Sequence, residues 1–361
     1  MNAYGFLLSE KSFLTTIYLD VNVLKSNRQL GLLPASGFIR SASGVHMTWQ
    51  PSASLDSLKA RAEFYRYIRD FFALRDVLEV ETPALSQAGV SDPYLSPVQA
   101  SCMGQAAYLH TSPEYPMKRL LAAGSGDIYQ ICKVFRDGEC GRRHNPEFSM
   151  LEYYRLGFSL LSLMDEVAQL VGDYLGIQAR MDLSYGEAVR RYSGLDPFSA
   201  SDESLLQQAR DCAGDPELML DRDGCLDLIM THLVEPNLPK HTLVFIHSYP
   251  QSQAALAKVA ENHDGYAVAK RFELYVNSLE LANGYDELSQ SHEQRGRCEK
   301  DLALQAQLNG HARPLDERFL AAIEHGLPDC SGVALGLDRI LMLKLNASHL
   351  EQVLAFPYPL S

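Results

Sequence analysis

The stretch that decides the fold runs from Val134 to Arg155, VFRDGECGRRHNPEFSMLEYYR, with four arginines, one histidine and three glutamates. Just ahead of it, Ile128–Phe135 (IYQICKVF) is β-branched, aromatic and apolar, which predicts a strand. Asp137-Gly138 and Cys140-Gly141 interrupt it. Phe148–Tyr154 (FSMLEYY) then predicts the returning strand, with Phe148, Met150, Glu152 and Tyr154 on one face by the two-residue period. Arg136 ends the outgoing strand, and Arg142, Arg143 and His144 fill the loop. Guanidinium forks match phosphate oxygens bidentately, whereas Glu152 and Tyr154 suit an ammonium. A surface hairpin with scattered ion pairs fits the same spacing equally well.

The motif itself narrows the choice. Arg143-His144-Asn145-Pro146-Glu147-Phe148, followed by Met150-Leu151-Glu152 and Tyr154, resembles motif 2 of class II aminoacyl-tRNA synthetases, and within them the lysyl-tRNA synthetases. The implied fold class is α+β: an antiparallel β-sheet flanked by helices. A motif 1 upstream, and a glutamate pair and motif 3 downstream, are then required.

Composition sets limits on this reading. The 361 residues are 46% hydrophobic, enough for one large core or one domain with an insertion. A net charge of -13 argues against a long phosphate-tracking surface and against bulk nucleic acid as partner. The seven cysteines form no C-x-x-C pair, so reduced, mostly buried thiols of a cytoplasmic protein are expected. No apolar run reaches the ~18 residues of a membrane span. Residues 1–46 show neither a clear period nor a signal sequence, and are expected to be an extension or a non-native start, with a catalytic domain over 47–361.

From Ser54 a helix is predicted, capped by Ser54 or Asp56, with Leu58, Ala62, Tyr65, Ile68 and Phe72 on its apolar stripe. Val77–Pro83 predicts a strand stopped by proline. The pair resembles motif 1, which implies a homodimer. Near Tyr108–Thr111 a short strand leads to a helix with Ser112 as N-cap and Pro113 and Glu114 in its first turn. Capping alone explains Glu114. The resemblance also sets Ser112, Pro113 and Glu114 against the substrate's amino group. Leu160–Leu175 predicts a helix, about 176–240 a helical insertion, and Leu243–His247 a buried strand whose histidine is structural.

Asn277-Ser278 predicts a two-residue hairpin turn that pairs Val276 with Leu279 and Tyr275 with Glu280. Glu273 and Glu280 then lie diagonally on one face, about 7–8 Å apart at the backbone. Two carboxylates aimed at one volume call for a cation, and hard oxygen ligands beside a phosphate point to Mg²⁺. The following Asn283-Gly284-Tyr285-Asp286-Glu287-Leu288 resembles the N-G-[FY]-x-E-L of the synthetases. Gly336-Leu337-Asp338-Arg339 resembles motif 3, with Arg339 placed for phosphate and Ala334 where lysyl enzymes usually carry glycine.

An anticodon-reading OB-fold does not fit ahead of motif 1. A complete core without one resembles the elongation factor P lysine ligase family, a lysyl-synthetase paralogue. That likeness implies an AMP-forming ligase that activates (R)-β-lysine with ATP and Mg²⁺ and transfers it to a lysine of elongation factor P, without stable tRNA binding. It implies that Arg136 and Arg339 act in catalysis and ATP binding. Gly138, His144, Asn145, Phe148, Glu280, Leu281 and Gly336 also bind ATP, while Glu273 and Glu280 hold the metal. Ser112, Pro113, Glu114, Glu152, Tyr154, Asn283, Glu287 and Ala334 form the substrate pocket. One departure stands out: motif 2 normally reads F-R-x-E, whereas Gly138 occupies the acid's place and Glu139 comes one position late. An enzyme acting on α-lysine and RNA, and a non-catalytic regulator, are the competing readings.

Overall fold

The computed structural model describes residues 49–361; the expectations for residues 1–46 lie outside the described residues. Helix α1 (Leu55–Ala73) begins where the Ser54 hydroxyl accepts the Ser57 N–H. Its buried face is Phe64, Ile68, Phe71 and Phe72. Ala62 is exposed and Leu58 and Tyr65 are only half-buried, so the stripe is rotated from the expected one. Large rings claim the sheet side because burial scales with apolar area, at about 25 cal/mol per Å². The predicted strand over 77–83 shrinks to β1 (Leu78–Glu79), parallel to the start of the strand at Ile128–Phe135. Val80 still donates to Tyr129 O, after which the chain leaves the ladder ahead of Pro83.

Strands β2 (Leu85–Ser86), β3 (Gln99–Cys102) and β4 (Gln105–Leu109) make a small separate sheet. Helix α2 (Glu114–Ala122) follows. Strands β5 (Ile128–Phe135) and β6 (Glu147–Leu156) are the antiparallel pair expected of the decisive stretch. Helix α3 (Leu160–Leu175) starts and ends as the sequence predicts. Within the insertion, Arg180–Ser184 is not helical but forms β7, parallel to β8 (Leu243–Pro250) at the sheet edge. Helices α4 (Tyr185–Ser193), α5 (Asp202–Ala213) and α6 (Arg222–Ile229) follow it and cover that edge with a core of their own.

The main sheet is completed by β9 (Val259–Glu261), β10 (Ala267–Val276), β11 (Leu279–Asp286) and β12 (Cys330–Gly336). Its order is β1-β5-β6-β12-β11-β10-β8-β7, with β9 paired to β10. The interior pairs are antiparallel, in agreement with the α+β expectation. Helix α7 (Ser291–Asn309) and α8 (Glu317–Gly326) precede β12, and α9 (Leu337–Lys344) follows it.

Strand alternation assigns the two faces. Leu151, Tyr153, Phe272, Leu274, Val333 and Leu335 point into the core shared with α1, α3 and α9. Their neighbours Glu152, Tyr154, Glu273, Gly332 and Ala334 therefore share the opposite face. A β-bulge opposite Leu274/Tyr275 sets the phase on β11, where Leu281 and Ala282 are both in the core. Without that extra residue Glu280 and Asn283 would point to opposite faces; with it they join the same one. Asp338 bolts three elements together, pairing with Arg61 of α1 at 2.6 Å and accepting the Ser149 N–H of β6 at 2.8 Å.

Candidate active site

At one end of the polar face lies an acidic pocket. Ser112 does not cap α2 as predicted: Pro113 holds the cap position without a side-chain bond, because the helix starts one residue later. The Ser112 hydroxyl instead accepts the Glu114 N–H at 3.0 Å and donates to Glu152 Oε2 at 2.6 Å. The Tyr154 hydroxyl donates to Glu152 Oε1 at 2.7 Å. Glu287, just beyond β11, and Glu114 both contact Lys118 Nζ at 2.6 Å. Burial and the neighbouring Glu114 carboxylate push Glu152 up. Burial raises Glu287 as well, with Lys118 pulling the other way and Glu114 and Glu152 adding to the rise. Three carboxylates converge here on a single resident ammonium.

The pocket wall is β12. Ala334 stands opposite Glu152 on β6 and Asn283 on β11. Asn283 Oδ1 accepts from Arg271 Nε at 3.2 Å, while its buried Nδ2 has no partner. Asn283 therefore offers a donor, which suits a carboxylate or phosphate oxygen rather than an ammonium.

Beyond the pocket the face turns cationic. Arg136 is buried at the end of β5, its guanidinium 5.0 Å from the Phe148 ring centre and 3.7 Å from Glu139. Gly138 adopts φ +82°, a left-handed turn that an L-residue enters with strain, and the late Glu139 folds back onto Arg136. His144 Nε2 lies 2.8 Å from Arg339 Nη2. Burial and the guanidiniums of Arg339, Arg136 and Arg143 hold that imidazole down at about 3, so it is neutral and accepts the Arg339 N–H. A Cβ built on Gly336 would meet only Arg339 Cδ, at 3.8 Å, which leaves the space beside Arg339 open.

Two residues expected at the nucleotide, Asn145 and, through its backbone, Leu281, have side chains engaged elsewhere. Asn145 uses its side chain to hold the loop, donating to Glu147 O at 2.6 Å and accepting the Tyr358 N–H at 2.9 Å. The Leu281 side chain is in the core, leaving only its backbone at the bulge to face a ligand.

Beside the cationic cluster stand the paired glutamates. The turn at Asn277-Ser278 has the predicted register, Val276 with Leu279 and Tyr275 with Glu280. Glu273 is held by Arg271 through Oε1 and by the Tyr249 and Tyr275 hydroxyls through Oε2. Glu280 Oε1 is buried without a hydrogen-bond partner, and Oε2 lies 3.8 Å from Arg339 Nη1. Burial and the Glu273 carboxylate push Glu280 well up, against the pull of Arg339, Arg271 and Arg136. An orphaned buried oxygen on a carboxyl that its neighbour disfavours is what a hard cation would relieve, so the donors fit Mg²⁺ best at Glu280.

Sequence reasoning missed Lys118 and Gly332. Lys118 falls four residues after Glu114, on the same face as the buried Met117 and Leu121, and that spacing was its signal. Gly332 is a place where side chains crowd the backbone: a Cβ there would lie 2.6 Å from Glu287 Oε1 and closer still to the Tyr154 ring.

Comparison with known proteins identifies the family. Residues 43–359 match the family of class II tRNA synthetases (D, K and N). A Haemophilus ducreyi protein named elongation factor P–(R)-beta-lysine ligase is 46% identical over 321 residues, covering 87% of this chain and 98% of the relative. The proteins of that name from Proteus mirabilis and Pectobacterium carotovorum are 47% and 46% identical, each over 86% of this chain and 97% of their own length. The chain belongs to the class II tRNA synthetase family, alongside the proteins named elongation factor P–(R)-beta-lysine ligase.

Proposed function

We propose that this chain is an ATP-dependent, AMP-forming ligase that activates (R)-β-lysine and transfers it to the ε-amino group of a lysine on elongation factor P. The observation that carries the reading is the division of one sheet face: three carboxylates around Glu152 at one end, the Arg136, His144 and Arg339 cluster at the other. A substrate with two ammoniums and one carboxylate spans such a face with its reacting carboxylate toward the phosphate. The names of relatives nearly half identical along most of the chain support the same substrate and acceptor.

In the first half-reaction a substrate carboxylate oxygen bonds to the α-phosphorus, and the bond to the departing pyrophosphate breaks. Arg136 and the Asn283 amide hold the two reacting groups, and Arg339 and His144 take the distal phosphates. Glu139 stands in for the acid missing at Gly138. Phe148 stacks on adenine, and the Gly336 and Leu281 backbones border the nucleotide. Glu280, with Glu273 beside it, would hold Mg²⁺, which would supply charge neutralisation for the phosphates. In the second half-reaction the acceptor amine bonds to the acyl carbon, and AMP leaves. The chain needs no covalent nucleophile, since positioning and charge neutralisation supply the rate. Among the described residues no helix is long and apolar enough to cross a membrane; we place the enzyme in the cytoplasm, as a homodimer built on α1, with no stable tRNA binding.

Pyrophosphate exchange with ATP and Mg²⁺ tests the reading: (R)-β-lysine should support it most strongly, α-lysine less. Exchange with α-lysine alone would revive the tRNA-synthetase reading, and silence with every amino acid would discard both. The Ala334 methyl, facing Glu152 and Asn283 across β12, should govern the choice. Ala334→Gly is expected to move the ratio of kcat/KM values toward α-lysine by about tenfold, the usual worth of one carbon in a pocket. An unchanged ratio in steady-state exchange would remove Ala334 from the pocket.

A further inference from the structure

Lys118 has no exposed surface, and its ammonium is 2.6 Å from both Glu114 and Glu287. Helix α2 carries it into the sheet between Met117 and Leu121, where an apolar side chain would pack as well. Burying an ammonium is expensive, and an ion pair there is weak evidence for stability. Its position is better explained by the pocket. Lys118 occupies one oxygen of Glu114 and one of Glu287, leaving Oε2 of the first and Oε1 of the second for another donor. The Glu287 oxygen left over is the one that crowds Gly332 beside Tyr154.

We propose that Lys118 is a positioning residue that sets the charge and spacing of the amino-group pocket, leaving three carboxylates and one ammonium to match a substrate with two ammoniums. The inference deepens the reading given above and rests on it. Without Lys118 the buried Glu152 and Glu287 and the half-buried Glu114 would share one volume, and one would take a proton rather than bind substrate. The groups that feel Lys118 are Glu114 on α2, Glu152 on β6, Glu287 after β11 and Cys330 on β12, and the hydroxyls of Tyr154 and Tyr285 face the same carboxylates. Burial works against its charge, and Glu114 and Glu287 outweigh that, so its pKa is raised and it stays cationic throughout the working range.

The test is Lys118→Met, close in volume and uncharged, with Lys118→Gln as a second neutral variant should the first not fold. Pyrophosphate exchange is followed from pH 6 to 9 beside the wild type, with thermal unfolding as the folding check. The expected result has three parts: a KM for (R)-β-lysine raised about tenfold or more, a KM for ATP and kcat within about twofold, and the acid limb of kcat/KM moved to higher pH. The sign follows from charge, since losing a cation raises the carboxylate pKa values and demands a higher pH to ionise them. Lys118→Arg, which keeps the charge, should bring the acid limb back toward wild type. A neutral, folded variant with an unchanged amino-acid KM and acid limb overturns the proposal, as does an equal loss for ATP and amino acid. If the wild type itself activates no amino acid, the functional reading falls and this inference with it; an active wild type beside an unaltered variant sinks this inference alone.

Discussion

Arg136→Ala is expected to slow β-lysine-dependent pyrophosphate exchange by about 10²–10³-fold, the usual cost of removing one preorganised donor from a developing charge. Arg136 is nearly fully buried at the end of β5, beside Phe148 and Glu139, on the side of the site where Glu280 and His144 also feel its charge. The loss should fall mainly on kcat, because the charge it offsets develops as the carboxylate attacks the phosphate. Arg136→Lys keeps the charge and loses the planar fork, so it should recover only a minor part of the rate. Single-turnover adenylate formation separates this from slow product release. A loss of less than tenfold in Arg136→Ala would take Arg136 out of the reaction centre.

Gly332→Ala is the second large effect, and it arises from space rather than charge. The added Cβ would come within 2.6 Å of Glu287 Oε1 and nearer still to the Tyr154 ring, a separation that real side chains do not tolerate. Tyr154 cannot yield cheaply, since its hydroxyl holds Glu152 and its ring is packed against Met117 and Ile128. Overpacking of this kind costs about 1–3 kcal/mol, and placed in the pocket it should raise the amino-acid KM by about 10–100-fold. ATP binding, at the other end of the face, should change little. Titration of ATP and of (R)-β-lysine into the variant distinguishes the two sites. Equal weakening of both ligands would mean that the sheet, and not the pocket, had moved.

How much of this was legible in the sequence depends on the range of the interaction that fixes each feature. The β5–β6 pair and the Asn277-Ser278 turn were readable because side-chain alternation and turn chemistry are local. The bulge at Leu281 was not: two consecutive apolar residues inside a hairpin look like any buried strand, yet they alone bring Glu280 and Asn283 to one face. The rotated face of α1 was hidden because aromatic and small apolar residues recur all around that helix. β7 was missed because a five-residue edge strand borrows its ladder from β8, some sixty residues on. Asn145 shows the same limit in the site, for its partner Tyr358 lies near the far end of the chain. Resemblance supplied the residue types of the pocket; which of their atoms remain available to a ligand came only from the packing.

The most direct test of the central claim is the intact mass of elongation factor P after incubation with this protein, ATP, Mg²⁺ and (R)-β-lysine. The account predicts a gain equal to one lysyl group on a lysine side chain, dependent on ATP and lost with Arg136→Ala. An unmodified elongation factor P, in a reaction where the protein demonstrably forms the β-lysyl adenylate, would contradict it.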